Sequence, residues 1–577
     1  MNPLARCFRG LLLASLFAFC FAWMNHPALA QSTNRQIGTQ YTATADPVVA
    51  RPHTKPCVVQ LFSGYTFAFF STSVQTFSFM PPAACPGPWS KVVFEANFSE
   101  NAGVQFDRTA SMYIANTDIY FGTTPEPLSN ATNTWHVERD LTDYSALLTI
   151  PQQGTIVLAN CTTDCPPPYN TFLNGVFTVS ADLEFYPVRG DDGAPTPDAV
   201  LPLEQSNGSG GFNLPVILGS PTQQLTTTFN LPTNIERIYM DVVPQSQSSD
   251  EFWYTCVPND VAAELQSCGG TGFREAEISV DGQPAGVVPI SPWIYTGGID
   301  PYLWFPIPGI QTLDFIPYRV DLTPFAGALS DGNPHTVAMS VFNDNSYFSV
   351  TGTLLLFLDH GSAKVSGAVT KNNLAAAPIP VITENLNVGT AITGTVDISS
   401  NRSFTISGYV KTSHGKVQTT VSQNIRFDNN QSFNINGPLY VQDIKQNTDV
   451  FSKTTVSRGD DHTTYQHNFH FPLAVDITLA TQSNGNINQT TTATQTYEVD
   501  TIGGGDNPGF LSLVRNTGQH QDTLIFSPGF GSLLGNSGQS ASQHYVSASS
   551  DGPFYDCQIA AKNNSLTKVS RGCTPEH

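Results

Sequence analysis

The chain has 577 residues, of which 40% are hydrophobic and 11% aromatic, whereas only 12% are charged. This composition excludes an intrinsically disordered protein, which would be rich in charge and poor in aromatic residues. The formal net charge of −21 argues against nucleic acid or an anionic membrane as the main partner, because both select for basic surfaces.

Residues 1–30 have the pattern of an export signal. Arg6 and Arg9 precede a short apolar run, Leu11 to Ala22, and a small-x-small cleavage site occupies residues 28–30. Because the run is short for a bilayer span, cleavage is favoured over a membrane anchor. We therefore predict a mature chain that begins at Gln31, is secreted or periplasmic, and has no membrane attachment after cleavage.

Residues 31–187 form the first predicted domain. Short aromatic and β-branched runs alternate there with turns of Gly, Pro and Asn, a pattern typical of a β-sandwich. The predicted strands are Thr66 to Phe79, Val92 to Phe98, Ala110 to Phe121 with a turn at Thr117-Asp118, Ile156 to Ala159, and Phe177 to Phe185.

The composition changes twice further along the chain. Residues 188–225, rich in Gly, Asp, Pro and Asn, are predicted to be a linker. Residues 226–360 predict a second β domain with a turn at Asp281-Gly282. Residues 361–577, rich in Thr, Asn, Gln and Ser, predict a third, β-rich module. The predicted strands of the second domain include Arg237 to Val243, Val337 to Phe342 and Leu354 to Leu358, and those of the third module include Ser403 to Val410. The predicted fold class is all-β.

Cysteine usage agrees with export. Cys7 and Cys20 lie in the signal, and the other eight cysteines follow one another in close pairs. Neighbours are predicted to form disulfides, because each bridge then closes one short loop. Zinc at the closest pair is disfavoured, since no second half of a zinc motif lies nearby. The predicted bridges are Cys57–Cys85, Cys161–Cys165, Cys256–Cys268 and Cys557–Cys573.

Three acidic segments stand out in a chain with so little charge: Phe106-Asp107-Arg108, Asp250 to Tyr254, and Gly272 to Glu275. Carboxylates can activate water, Arg can hold a carbonyl oxygen or a carboxylate, and aromatic faces can bind sugar rings. From composition alone, however, a turn or a structural ion pair is the better interpretation of each segment.

The nearest approach to a metal cluster is the histidine group His462, His467 and His470. These histidines lie in a strand-like stretch of a polar module, with no carboxylate neighbours beyond Asp460 and Asp461. Exposed strand histidines are therefore the favoured interpretation.

Taken together, several motifs resemble the peptide N-glycanase A family, the peptide-N4-(N-acetyl-β-glucosaminyl)asparagine amidases. The resemblance runs from about residue 55 to 360 and continues more weakly at Val365-Ser366-Gly367 and Ser407-Gly408-Tyr409. The motifs are QFDR at 105–108, WHVERDLTDYSALL at 135–148, DEFWY at 250–254, GFRE at 272–275, TGGIDP at 296–301 with Leu303-Trp304, and VFN at 341–343.

A more distant resemblance, to the bacterial enzyme PNGase F, rests on Phe106-Asp107-Arg108 and on LPTNIER at 231–237. It implies two adjacent jelly-roll β-sandwiches with the active site at their interface, followed here by the C-terminal β-rich module. It also implies that Asp107 is the primary catalytic aspartate and Glu251 the second essential carboxylate. The third acidic position of that enzyme falls near Asn160, which is not an acid, so the third role stays open.

The resemblance implies a secreted amidase, without metal or organic cofactor, that releases whole N-glycans from N-glycopeptides or N-glycoproteins and converts Asn to Asp. Acid activity is predicted from the acidic balance of the chain, and a monomer is expected. Two alternatives stay open: a non-catalytic glycan-binding sandwich and a glycosidase with a carboxylate pair. Substrate-binding roles are predicted for Arg108, Asp250, Trp253, Arg274, Glu275, Trp135 and Trp304.

Overall fold

The computed structural model describes residues 38–573, except 127–129, 189–194, 506–508 and 551. The predicted signal peptide, its cleavage site and part of the predicted linker lie outside the described residues. Every helix in the described part is too short or too polar to cross a membrane.

The first unit is a sandwich of two antiparallel four-stranded sheets. Its strands are β1 (Cys57–Phe67), β2 (Val74–Phe79), β3 (Trp89–Glu100), β4 (Thr109–Ile114), β5 (Thr117–Thr123), β6 (Asn133–Asp140), β7 (Gln152–Leu158) and β8 (Phe177–Pro187). The sheet orders are β1-β8-β3-β6 and β2-β7-β4-β5. Alternate side chains point between the sheets, where Phe94, Phe98 and Tyr120 are buried.

The structure corrects two details of the predicted strands. The stretch Thr66 to Phe79 is two strands, interrupted by a 3-10 turn at Phe70–Thr72. The hairpin turn predicted at Thr117-Asp118 lies instead at Ala115-Asn116, where both residues have positive φ, as a two-residue hairpin turn requires. Ile114 consequently pairs with Thr117 and Thr109 with Thr123.

The second unit is also a sandwich. Its strands are β9 (Ala199–Pro202), β10 (Val216–Leu218), β11 (Leu225–Asn230), β12 (Ile235–Gln247), β13 (Glu275–Val280), β14 (Gln283–Pro289), β15 (Tyr318–Asp321), β16 (Pro334–Phe342) and β17 (Tyr347–Leu358). One sheet has the order β10-β17-β12-β15 with β9 also on β17, and the other is β11-β16-β13-β14. The linker prediction is thus corrected: its residues supply β9 and β10, because β17 offers a free edge for pairing.

The third unit is one twelve-stranded antiparallel sheet. Its strands are β18 (Ser366–Asn372), β19 (Val381–Val388), β20 (Ile392–Thr412), β21 (Gly415–Asn436), β22 (Leu439–Arg458), β23 (Asp461–His470), β24 (Leu473–Thr481), β25 (Ile487–Gly504), β26 (Phe510–Phe526), β27 (Leu533–Ser549), β28 (Tyr555–Lys562) and β29 (Ser565–Val569). One apolar core joins this sheet to the second sandwich, as in the packing of Phe273 on Phe427.

Helices are short. The 3-10 helices are Phe70–Thr72, Thr142–Leu148, Tyr169–Thr171, Ser248–Asp250, Trp253–Thr255, Pro301–Trp304, Thr323–Phe325, Pro528–Phe530 and Arg571–Cys573, and the α-helix is Ala326–Leu329. The four predicted disulfides are all formed. The predicted fold class, two adjacent β-sandwiches and a C-terminal β-rich module, is confirmed.

Candidate active site

Asp107 lies at the edge of the first sandwich, in the connection between β3 and β4, and is half-buried. The adjacent backbone is fixed by the β4–β5 hairpin: Arg108 N–H donates to Thr124 Oγ1 at 2.9 Å, and Thr124 N–H donates to Arg108 O at 2.8 Å. The Gly297 N–H of the second sandwich donates to the Asp107 carboxylate. Asp107 therefore faces the junction of the two sandwiches.

Glu126 joins Asp107 at this junction, although the sequence analysis did not select it. The hairpin register places the residues after β5 beside those before β4. A Cβ built on Gly297 would overlap Asp107 Oδ1 and lie 2.6 Å from Glu126 Oε1. Two carboxyl groups thus converge on one glycine. A hairpin turn placed correctly at residues 115–116 in the sequence would have predicted that Glu126 lies beside Asp107.

Glu251 enters the junction from the second sandwich, just after the 3-10 turn that follows β12. Its neighbour Asp250 anchors that turn. Asp250 accepts hydrogen bonds from Arg274 Nε at 3.0 Å and Nη2 at 2.8 Å, and from the Asn345 and Ser346 N–H groups. Arg274 and Asp250 are fully buried, so they hold the segment that presents Glu251.

A fourth carboxyl, Glu100 at the end of β3, lies behind Glu126 and Arg108 and is fully buried. Arg108 Nη2 donates to Gln105 Oε1 at 2.6 Å, and Gln105 Nε2 donates to Cys161 O at 3.0 Å. Asn160, where a third acid was sought, donates instead to the carbonyls of Phe67 and Gly175. The additional acidic groups near Arg108 are therefore Glu100 and Glu126.

The four carboxyls differ in their affinity for protons. Burial raises the pKa of Asp107 to about 6, opposed by hydrogen bonds from its own N–H and the charge of Arg108. Burial and then the charge of Asp107 raise the pKa of Glu126 and of Glu251 to about 8. Burial and the charge of Glu126 raise the pKa of Glu100 to about 9. Near pH 7, one carboxylate accordingly sits among protonated carboxyls, which is how acid and base roles separate in one site.

An exposed aromatic surface adjoins Asp107. Phe106, Tyr169 and Phe172 are 41%, 44% and 42% exposed, and the Tyr169 ring contacts the rings of both phenylalanines edge-on. The Cys161–Cys165 disulfide closes the start of the loop that carries Tyr169. Exposed rings in contact with one another offer a platform for a sugar or an apolar group.

The tryptophans predicted to contact substrate lie in the cores. Trp135 stacks on Phe98, Trp253 packs on Phe427, and all three predicted tryptophans are at most 4% exposed. Trp304 donates from Nε1 to Gly298 O at 2.9 Å, behind Gly297. The structure therefore gives these rings packing roles, since a sugar could reach them only if the core opened.

Glu275, also predicted to bind substrate, is buried and paired at 2.6 Å with Arg402 of the third module. The pair spans the two units, away from the Asp107 carboxyl. Like Arg274, it joins parts of the fold.

The histidines of β23 have different partners: His462 faces Ser457, His467 faces Thr501 and His470 faces Asp449. His462 is exposed as predicted, whereas His467 and His470 are partly buried. Among the described residues, one group of possible metal ligands comprises Glu95, His136 and Glu138. The Arg51 guanidinium already binds both carboxylates of that group, so a cationic side chain occupies the position.

Comparison with known proteins agrees with the motifs. The chain matches the family model of peptide N-acetyl-beta-D-glucosaminyl asparaginase amidase A over residues 47–375, and the model of the PNGase_A C-terminal domain over residues 395–473. It is 29% identical over 461 residues to peptide-N4-(N-acetyl-beta-glucosaminyl)asparagine amidase A of Prunus dulcis, covering 75% of this chain and 76% of that protein.

Two solved structures are similar at low identity. PNGase F, a glycosylasparaginase from Flavobacterium meningosepticum, is 15% identical with a TM-score of 0.36, over 52% of this chain and 96% of that one. PNGF-II is 13% identical with a TM-score of 0.35, over 53% and 66%. The sequence matches decide the assignment: this chain belongs to the peptide N-acetyl-β-D-glucosaminyl asparaginase amidase A family, as its motifs predicted.

Proposed function

We propose that this protein hydrolyses the amide bond between the Asn side chain and the first GlcNAc of N-glycopeptides and N-glycoproteins. Water adds to the side-chain carbonyl carbon, and the carbon–nitrogen bond then breaks. The peptide keeps the water oxygen as Asp, and the glycan leaves as a glycosylamine once its nitrogen has gained a proton. The observation that carries this proposal is the convergence of carboxyls with unequal pKa values at the sandwich junction, in a chain of this amidase family.

Each group has a role that follows from its environment. Asp107 takes the proton from water or orients it, because its pKa of about 6 is the lowest of the four carboxyls, with N–H hydrogen bonds and Arg108 opposing the effect of burial. Glu251 donates a proton to the leaving nitrogen, because it keeps its own proton to about pH 8. Arg108 faces charge that develops on the carbonyl oxygen; its Nε has no hydrogen-bond partner among the described residues.

The pH profile follows from the same groups. The activity falls as the pH rises through about 8, because Glu126 and Glu251 then ionise. On the acid side, a base role for Asp107 makes the rate decline below its pKa of about 6. Activity that stays flat down to pH 4 would instead assign Asp107 to orienting water in its protonated form, consistent with the acid activity predicted from composition.

Export belongs to the same proposal. Four disulfides fit an oxidising compartment outside the cytoplasm, and a secreted location would give the enzyme access to glycoproteins. The protein is expected to act as a monomer.

The test is mass spectrometry of a defined N-glycopeptide after incubation with the purified protein at several pH values. Release of the whole glycan, with a mass gain of about 1 Da at the former Asn as the amide becomes an acid, supports the amidase. Cleavage within the glycan would assign a glycosidase. Binding without cleavage would assign a glycan-binding protein.

The variant Asp107→Asn is the matched probe of the base. Its rate is expected to fall about 10²- to 10⁴-fold, the range that general-base catalysis supplies, with a circular dichroism spectrum like that of the wild type. Asp140→Asn, on the exposed end of β6, serves as the control. Retention of most activity by Asp107→Asn would remove Asp107 from the mechanism.

A further inference from the structure

The third module supplies hydrogen bonds to the backbone of the segment that presents Glu251. Three amide side chains on β21 and β22 donate to three successive carbonyls: Asn429 to Tyr254 O at 2.9 Å, Gln442 to Thr255 O at 3.0 Å, and Gln431 to Cys256 O at 2.9 Å. These carbonyls follow the Glu251 turn directly.

The three amides also bind one another. Gln431 donates to Asn429 Oδ1 at 2.9 Å, and Gln442 donates to Gln431 Oε1 at 2.8 Å. All three are buried. A buried amide network of this kind has one low-energy arrangement, because each unpaired donor or acceptor would be costly. It therefore holds residues 254–256 in one position.

A second set of contacts holds the loop that contains Gly297. Gln489 donates to Ile299 O at 3.0 Å, Gln495 donates to Pro292 O at 2.9 Å, and Gln539 donates to Phe305 O at 2.6 Å. Ile299 has φ +63°, a conformation that a β-branched residue adopts only when its surroundings impose it. Contacts from the third module are part of those surroundings.

We propose that the third module is a positioning part of the active site: its buried amides place the Glu251 segment and the Gly297 loop so that Glu251 meets Asp107. This inference rests on the proposed function and gives the C-terminal half of the chain a role in catalysis. Misplacing a catalytic group by about 1 Å can cost about 10²-fold in rate, so positioning contacts of this kind affect turnover.

A carboxyl pair in the same interface links this positioning to pH. Asp300 follows the Gly297 loop, Asp522 lies on β26, and the two fully buried side chains hydrogen-bond to each other. Asp300 also accepts from Tyr302 N–H, and Asp522 accepts from the Asn536 amide. Two such oxygens need a proton between them, and burial raises the pKa of both groups.

The pair has a titratable neighbour on the same strand. His520 lies two residues before Asp522 on β26, and burial lowers its pKa to about 4, so the ring is neutral above that pH. The pair also accepts hydrogen bonds from the Leu303 and Thr523 N–H groups. The shared proton is present in acid and is lost as the pH rises through about 7, the pKa of Asp300.

The test compares Asn429→Ala and Gln431→Ala with Gln423→Ala in the full chain. Gln423 is a buried amide on the same strand and the same face, but it binds Ser452 and Tyr318 away from the site. We measure hydrogen exchange of peptides covering residues 250–256 together with kcat and KM on the glycopeptide. Asn429→Ala and Gln431→Ala are expected to accelerate exchange there and to lower kcat about tenfold or more, whereas Gln423→Ala changes neither.

The inference is overturned if Asn429→Ala and Gln431→Ala show the same exchange and the same kcat as Gln423→Ala. A loss of melting temperature shared by all three variants would not support it. Exchange is independent of turnover, so a wild-type protein without amidase activity would overturn the proposed function alone.

Asp522→Asn tests the shared proton, because Asn keeps a hydrogen bond to ionised Asp300. Protection of residues 296–303, corrected for intrinsic exchange, is expected to fall between pH 5 and 8 in the wild type but not in the variant. The same pH dependence in both would remove the pair from the inference.

Discussion

Asp107 and Glu251 show how two carboxyls in one site come to have different pKa values. Both are removed from water, which raises each pKa. Asp107 also receives N–H hydrogen bonds and faces Arg108, so its pKa stops near 6, whereas Glu251 faces the negative charge of Asp107 and reaches about 8. Local partners, rather than residue type, therefore separate the pKa values of the two groups.

Glu126 is predicted to be the third acidic group of the reaction. Its carboxyl shares Gly297 with Asp107, and it is protonated at neutral pH. Glu126→Gln preserves the shape but removes the transferable proton, so kcat is expected to fall about 10²-fold with little change in melting temperature. Steady-state kinetics on the glycopeptide measures this.

Glu277→Gln is the control for Glu126→Gln. Burial raises the pKa of Glu277 to about 7, and Arg402 opposes that shift, but this carboxyl lies on β13 away from the junction. The kcat of Glu277→Gln should stay close to that of the wild type. Equal rates for the two variants would mean that Glu126 only fills space.

The exposed ring of Tyr169 is predicted to bind substrate. Tyr169→Ala removes the ring that contacts both Phe106 and Phe172. KM should rise about tenfold, the effect of losing about 1.4 kcal/mol of aromatic contact, while kcat changes less. Phe530→Ala removes another exposed ring, on the third module, and should leave KM unchanged. A shift in both variants would point to a nonspecific surface effect.

At the scale of elements, one loop of the second sandwich completes the site of the first. Thr296 Oγ1 donates to Thr124 O at 3.0 Å, and Tyr295 OH donates to Ser246 O at 2.7 Å. These bonds bring the Gly297 backbone against the carboxyls of Asp107 and Glu126. Glycine is needed at 297 because any Cβ would occupy the space of those oxygens.

Gly297→Ala is therefore expected to lower kcat about 10²-fold by displacing the carboxyls. Gly154→Ala is the matched control, since its Cβ would overlap the Phe77 ring in the first core. The control should lower the melting temperature with little effect on kcat of the folded protein. A Gly297→Ala enzyme with wild-type kcat would show that the carboxyl positions tolerate movement.

Glycines also explain two of the weaker family motifs. A Cβ on Gly408 would overlap Pro324 O, and a Cβ on Gly367 would overlap Tyr409 O and lie 2.9 Å from Gly327 Cα. The backbones of β18 and β20 thus approach the short helices at 323–329 closely. These glycines allow the third module to pack against the second sandwich.

For the whole molecule, buried carboxyls predict greater stability in mild acid than at neutral pH. Burial raises the pKa of Asp314 to about 7 and of Glu275 to about 8. A raised carboxyl pKa favours the folded state fully below the unfolded value, near 4, and that contribution is lost as the pH rises through the folded value. Net negative charge adds repulsion in the same direction.

Other groups act in the opposite sense and limit stability in acid, among them Glu138 and His520, whose pKa burial lowers to about 4. Burial alone would raise the pKa of Glu138, but hydrogen bonds from His136 and Arg51 lower it to about 2. Its contribution is present above the unfolded pKa near 4.5 and is lost as the pH falls toward 2. Maximum stability is therefore expected between about pH 4 and 6.

Differential scanning calorimetry from pH 3 to 9 measures this. The melting temperature should be at least about 5 °C higher at pH 5 than at pH 8, given about 2–4 °C per kcal/mol for domains of this size. A melting temperature that is flat or rises toward pH 8 would contradict the prediction. Arg51→Ala should shift the acid limit upward, because Glu138 then loses its cation.

The sequence by itself determined the features that local patterns encode. Alternating apolar residues and Gly, Pro and Asn turns predicted the all-β class, close cysteine spacing predicted the four disulfides, and the motifs around Asp107 and Glu251 predicted the family. Each depends on neighbours in the chain or on a short spacing, which is why it is visible without a fold.

Only the tertiary structure decided which side chains share the site. Glu126 lies beside Asp107 because of the register of the β4–β5 hairpin, and a two-residue change in the turn position changes that register. Gly297 belongs to the second sandwich. Trp135, Trp253 and Trp304 look the same in sequence whether they face a sugar or a core, and packing buried them. Burial and charge proximity, which set both solvent access and pKa, arise only when segments distant in sequence meet.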